Sequence, residues 1–206
     1  MARPIKVEGR DTRRDILTAA LDLFAQDGFF GTSMRQIARA VGVRESALYH
    51  HFASKDAILV ALVQELGPGR ASELAEIDLD EALRAGGEAF LKEVTGRIVE
   101  IWSTPEEQKF ARLMLAEGPR LGAGGVLHPL TVIGRAQKLL GQLFAELMRR
   151  GVVKKLEPDV VALEFIGPLL AIRMMHLVLA PGPPDRRALR TLVAQHVGFF
   201  WGAVKP

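Results

Sequence analysis

Between Thr32 and Asp56 the chain reads TSMRQIARAVGVRESALYHHFASKD, and this stretch restricts the fold more than any other. Ser33-Met34-Arg35-Gln36 opens it as a capping box, in which a Ser hydroxyl and a Gln amide three residues on satisfy backbone donors reciprocally. Met34, Ile37, Ala38 and Val41 follow at i, i+3, i+4 and i+7, the spacing of one helix face, and Gly42 then ends the helix. A second short helix is expected over about Glu45 to Phe52, with Leu48 and Phe52 inward and Ser46, Tyr49 and His50 on the other side. Ser54 caps a third. Two short helices joined by a Gly turn are the layout of a helix-turn-helix, which seats its second helix in the major groove of duplex DNA.

The rest of the chain reads as helix as well, which makes the fold class all-α. A first helix is expected from about Asp11 to Gln26, with Ile16, Ala20 and Phe24 on one stripe, Leu17 and Leu21 beside it, and a stop at Asp27-Gly28. Ile58, Leu59, Leu62 and Val63 give the fourth helix its inward face. Gly67-Pro68-Gly69 is the clearest linker, dividing residues 1–66 from residues 67–206. Beyond it, one helix is expected from about Asp80 to Ser103. Thr104-Pro105-Glu106-Glu107 starts the next, with Thr as cap, Pro in the first position and Glu closing the box. That helix is expected to end near Glu117-Gly118-Pro119, followed by a Gly-rich loop over Leu121 to Leu127. Three more are expected over about Pro129 to Arg150, Pro158 to Pro181 and Pro184 to Ala203.

Composition removes several alternatives. Hydrophobic residues make up 49% of the 206-residue chain, enough for a core without staples, and there is no Cys, which rules out disulfides and thiolate metal sites and fits a reducing cytoplasm. The longest apolar run, Ile166 to Ala180, is interrupted by Gly167, Pro168, Arg173 and His176, so no membrane span is expected, and the N-terminus has no apolar signal stretch. Net charge says little about nucleic acid, since residues 1–66 carry nine Lys/Arg against eight Asp/Glu. Placement says more: Arg3, Lys6, Arg10, Arg13 and Arg14 crowd the start, either as a basic arm on DNA or as a solvated tail.

The stretch from Thr12 to Val63 resembles the DNA-binding domain of TetR (tetracycline-repressor) family regulators. The matching pieces are Ile16-Leu17 with Ala20 and Phe24, Gly28-Phe29, Thr32-Ser33, Ile37-Ala38, Val41-Gly42-Val43, Leu48-Tyr49-His50-His51-Phe52 and Ser54-Lys55-Asp56-Ala57, in order over about fifty residues. The resemblance implies a double-stranded DNA operator as partner. Arg35 matches a position that reaches a base edge, and Arg can read guanine through O6 and N7. Tyr49 and Lys55 match phosphate ligands, and His50 and His51 match positions on backbone or base. Ser33, Arg44 and Ser46 complete the expected DNA-binding set. Three residues depart from the family pattern. Arg44 stands where a Ser or Thr cap is usual. Ala47 replaces a common Thr, leaving a methyl for thymine contact. Glu45 can accept from cytosine N4 or simply favour the helix dipole.

For residues 67–206 the resemblance implies a ligand-binding and dimerisation domain, with a homodimer through the last two helices and a small, largely apolar effector that releases a repressor from its operator. The penultimate helix is apolar nearly all round, which on its own terms calls for cover on more than one face, by a partner or by the chain's own core. Phe90, Trp102, Phe110, Met114, Phe144, Met148 and Phe165 are candidates for an apolar ligand wall or for plain core. Arg173 and His176, three apart on an apolar helix, either anchor an acidic ligand, pair with carboxylates at a dimer interface, or face solvent. His128 is a further weak candidate.

No enzyme motif is present: no phosphate-cradling Gly loop after a strand, no G-x-S-x-G and no H-E-x-x-H. No cofactor or metal is expected, because the adjacent His50 and His51 splay apart on a helix. A helical scaffold without specific DNA binding is the competing class.

Overall fold

The computed structural model describes residues 11–66, 79–125, 129–180, 182 and 184–206, and these are helical with no strand among them. Arg3, Lys6 and Arg10 of the basic arm, the Gly67-Pro68-Gly69 linker and His128 lie outside the described residues. The chain divides into two compact units, Met1–Leu62 and Val63–Pro206.

The first unit holds α1 (Thr12–Asp27), α2 (Met34–Val41), α3 (Glu45–His51) and most of α4 (Lys55–Glu65). Its core is made by the stripes that the periodicity requires: Ile16, Leu17, Ala20, Leu21 and Phe24 from α1, Ile37, Ala38 and Val41 from α2, Leu48 from α3, and Ile58, Leu59 and Leu62 from α4. Each of the larger side chains contributes about 1.5–3 kcal/mol by leaving water. The helix ends are satisfied locally. Asp11 accepts from Arg14 N at 3.1 Å. Ser33 and Gln36 form the expected reciprocal box, at 2.8 Å and 3.3 Å. Gly42 closes α2 in the left-handed conformation at φ 77°, and Val43 N reaches back to Ala38 O at 3.0 Å.

The second unit holds α5 (Leu79–Ala82), a 3₁₀ turn (Leu83–Ala85), α6 (Gly87–Trp102), α7 (Pro105–Ala123), α8 (Pro129–Arg149), α9 (Pro158–Arg173), a π-helical turn (Met174–Val178) and α10 (Arg186–Val204). Phe90, Phe144, Phe165 and Phe200 sit at the centre of its core, with Phe165 and Phe200 ring centroids 5.0 Å apart and Phe144 5.4 Å from Phe165.

Three expectations are corrected here. The single helix over about Asp80 to Ser103 is broken at Gly86, which takes φ 93°; α6 restarts at Gly87, where a Cβ would fall 2.5 Å from the Trp201 ring and 2.7 Å from Val152. Packing against α10 therefore decides this boundary, as helix propensity alone would not. The helix expected to stop at Gly118-Pro119 runs through both to Ala123, because Leu121 is drawn fully into the core; Pro119 merely forgoes one backbone bond. Gly167 and Pro168 do not interrupt α9. By length and composition alone the continuous stretch Pro158–Val178 could cross a membrane. Within the fold, its apolar character has a different basis. Val161, Ala162, Phe165, Leu169 and Ile172 face the core, while Val160, Leu163, Leu170, Met174 and Met175 lie on the exposed side.

Candidate nucleic-acid interface

The capping box and the Gly42 turn fix the path from α2 into α3, so each side chain on these short helices has a determined face. Leu48 is fully buried and Phe52 nearly so, which turns their neighbours outward. Ser33, Arg35, Arg44, Ser46, Tyr49, His50 and His51 are all exposed on this unit, and Tyr49, at 50% exposure, stands free of the core. The His50 and His51 rings lie 5.8 Å apart and nearly perpendicular, as the splayed adjacency requires. Arg35 on α2 and Glu45 at the start of α3 approach to 3.8 Å across the turn, with the Arg35 side chain 88% exposed. An exposed pair of this kind holds little energy, so the guanidinium is available to a stronger acceptor.

Lys55 behaves differently from the others. Its ammonium donates to Phe29 O and to Thr32 O, both at 2.6 Å, and lies 4.5 Å from the centre of the Phe29 ring. Desolvation lowers its pKa, with Asp56 opposing that shift. Two of its three N–H donors thus tie the start of α4 to the turn between α1 and α2, leaving one direction for a phosphate oxygen. Thr32 belongs to the same knot: its buried hydroxyl donates to Gly28 O at 2.9 Å and lies 3.3 Å from Leu23 O. Neither role is visible in the local pattern. A Lys after a Ser cap reads as a surface charge, and its carbonyl partners are more than twenty residues away. Arg13, from the start of α1, stacks over the Phe52 ring at 5.2 Å.

In the second unit, the expected ligand-wall residues are placed as core. Phe90, Phe110, Phe144 and Phe165 are buried, Trp102 and Met148 nearly so, and Met114 is half-buried. Arg173 is paired with Glu107 of α7 at 2.9 Å, whereas His176, three residues on, is exposed; the two do not converge on a common site. Glu107 follows its cap as expected, donating from its backbone N to Thr104 Oγ1 at 3.4 Å, but its carboxylate, read as closing a capping box, bonds Arg173. Two shallow hollows between α6 and α10, of about 250 and 210 Å³, are lined by Val99, Glu100, Arg190 and neighbours, and by none of the expected ligand residues.

A capped α2, a left-handed Gly turn and an α3 with one buried and one polar exposed face define a helix-turn-helix protein. Known proteins narrow this class. Residues 16–62 match the model of bacterial regulatory proteins of the tetR family. The chain is 30% identical over 128 residues to the HTH-type transcriptional regulator TtgW of Pseudomonas putida, spanning 62% of this chain and 89% of that protein. It is 34% identical over 111 residues to the HTH-type transcriptional regulator AcrR of Shigella flexneri, covering 53% of this chain and only half of AcrR. A crystal structure described as a TetR-family regulator from Mesorhizobium loti MAFF303099 superposes with a TM-score of 0.71 at 24% identity, over 95% of this chain and 97% of the other. The chain belongs to the TetR family of transcriptional regulators, a family of DNA-binding proteins and not of enzymes.

Proposed function

We propose that the protein is a homodimeric repressor that places α3 of each copy in the major groove of an operator and leaves it when a small molecule binds the second unit. The observation that carries the reading is the two-sidedness of the α2–α3 element, with Ile37, Val41 and Leu48 sealed inside and Arg35, Tyr49, His50 and His51 outside on short, capped helices. In this arrangement Arg35 and Arg44 read base edges, Ser33, Ser46, Tyr49 and the remaining donor of Lys55 hold phosphates, and His50 and His51 contact backbone or base. Two copies related by a two-fold axis read half-sites about one helical turn apart.

The dimer reading is supported by an unpartnered apolar face on the last two helices. Val160, Leu163, Leu170 and Met174 recur along one side of α9 and its π turn, and Phe199 of α10 is 82% exposed. The effector is expected among Phe90, Trp102, Phe110, Met114, Phe144, Phe165, Arg173 and His176, in a cavity that opens by repacking; release from DNA then requires it to prefer one state by up to about 10⁴-fold. Selection of bound duplexes from a random pool tests the DNA reading. A two-fold symmetric motif is expected, Tyr49→Ala should weaken all sequences alike, and Arg35→Ala should relax preference at one base pair per half-site. Footprints from both variants identical to the parent's would refute the assignment.

A further inference from the structure

Among the described residues, Glu107 is the one charged residue in the buried core, with no side-chain exposure at all. Its carboxylate accepts from Arg173 Nη2 at 2.9 Å, and the Arg173 guanidinium lies 4.8 Å from the centre of the Trp102 indole. Carboxylate and indole face together form a cradle for a flat cation, and the chain's own guanidinium fills it. The cost of that burial registers on Arg173, whose pKa is lowered by desolvation against the opposing pull of Glu107.

The two partners differ in their freedom to leave. Glu107 sits on a short stem in the first turn of α7 and is wholly enclosed. Arg173 carries a long stem at the end of α9, retains 13% side-chain exposure, and is followed by the exposed Met174, Met175 and His176. The cation is therefore the member that can swing out. An incoming anion would meet a buried carboxylate beside the guanidinium, and a neutral molecule would take the place of a charge without replacing it; both are penalised in a low-dielectric site. A flat organic cation replaces like with like, through the same carboxylate and the same aromatic face.

We propose that Trp102 and Glu107 form a binding site for a flat organic monocation, occupied in the resting protein by Arg173 as a built-in competitor. This rests on the reading that the second unit binds a small molecule, and it names that molecule's charge. Departure of Arg173 also frees the entry to the π-helical turn Met174–Val178, closed by Leu179 N on Met174 O at 2.9 Å. The far end of that turn stays held by Arg112 of α7, which donates to Val178 O at 3.0 Å and to Leu177 O at 3.4 Å. π-turns interrupt α-helices most often where function needs them. This one carries Met174 and Met175 on the exposed apolar face, so occupancy of the cradle is transmitted to that face.

Calorimetric titration of the full-length protein with N-methylquinolinium, quinoline and quinoline-2-carboxylate at pH 7.5 presents one ring system with three charges. The cation should bind saturably and at least ~10-fold more tightly than the other two. Arg173→Ala should raise cation affinity by ~10-fold or more, because the competitor that reduces the open fraction is gone, and Glu107→Gln should lower it by a similar factor. Should Glu107→Gln fail to fold, as circular dichroism would reveal, the sign of the Arg173→Ala change decides. Tighter binding of the anion, weaker cation binding in Arg173→Ala, or no saturable cation binding by either the parent or Arg173→Ala would overturn the proposal. Duplex-DNA binding by the same preparations, measured without ligand, separates failure of this site from failure of the regulator reading.

Discussion

Replacing Lys55 by Met removes the ammonium and keeps most of the stem. In the folded chain that ammonium makes two 2.6 Å bonds to Phe29 O and Thr32 O and packs on the Phe29 ring. A bond to a charged group is worth roughly 1.5–3 kcal/mol net when enclosed, and a cation over an aromatic face about 0.5–1 kcal/mol when exposed. The side chain is only part-buried and its desolvation works against the charged form, so the sum must be discounted; a net loss of about 1–3 kcal/mol is the expectation. Those carbonyls belong to the turn that feeds the α2 cap, so the loss should be local. Native-state hydrogen exchange is the suitable assay. Amides of α2 should exchange roughly 5- to 150-fold faster in Lys55→Met, while those of the Phe144–Phe165–Phe200 core keep the parent rate. If α2 protection is unchanged and only DNA affinity falls, Lys55 is a phosphate ligand alone and the clamp argument fails.

Further outcomes follow from the same packing logic. Phe199→Ser should dissociate the dimer without changing helix content. A large aromatic contributes about 1.5–3 kcal/mol when buried, and a two-fold interface loses two of them, so sedimentation should register a dimer constant weakened by roughly 10²–10⁴; an unchanged constant would place the interface elsewhere. Gly87→Ala should destabilise by about 1–3 kcal/mol through overpacking, because its Cβ would press on the Trp201 ring and Val152; a thermal midpoint equal to the parent's would contradict this. Hydrogen bonds from Arg149 and then Arg150 lower the Glu146 pKa from 4.5 to about 2. Since the folded value lies below the unfolded one, the stabilisation is complete above pH 4.5 and lost as pH falls through about 2. A carboxyl titration by NMR should find that midpoint, and Arg150→Ala should raise it.

Much of the first unit is legible in sequence because its determinants are local. The Ser33–Gln36 box, the Gly42 stop and the Ile37–Val41–Leu48 face are each set by residues within a turn or two of one another, and all three appear where the pattern puts them. What the sequence hides depends on distant partners. The break before Gly87 answers to Trp201, more than a hundred residues on; the run through Pro119 answers to the pull of buried Leu121. Arg173 is conspicuous in the sequence as a charge on an apolar helix, but its partner Glu107 looks like an ordinary first-turn acid whose place is a capping box. The π turn after Arg173 has no sequence signal of its own. Lys55 is legible as a functional position, and its grip on the α1–α2 turn is not, since backbone carbonyls carry no residue code.

The central claim is that the exposed face of α2 and α3 meets the phosphates and base edges of duplex DNA. Its most direct test is the salt dependence of binding to the selected duplex. Each phosphate neutralised by a cationic side chain contributes about −0.9 to the slope of log K against log salt concentration, so a dimer with several such contacts should show a steep, linear loss of affinity. Lys55→Met removes one cation per copy and should make the slope shallower by about two, whereas Tyr49→Ala removes a neutral contact and should lower affinity at every salt concentration with little change of slope. Binding by the parent that persists unchanged at high salt, or no binding at any salt, would contradict the claim.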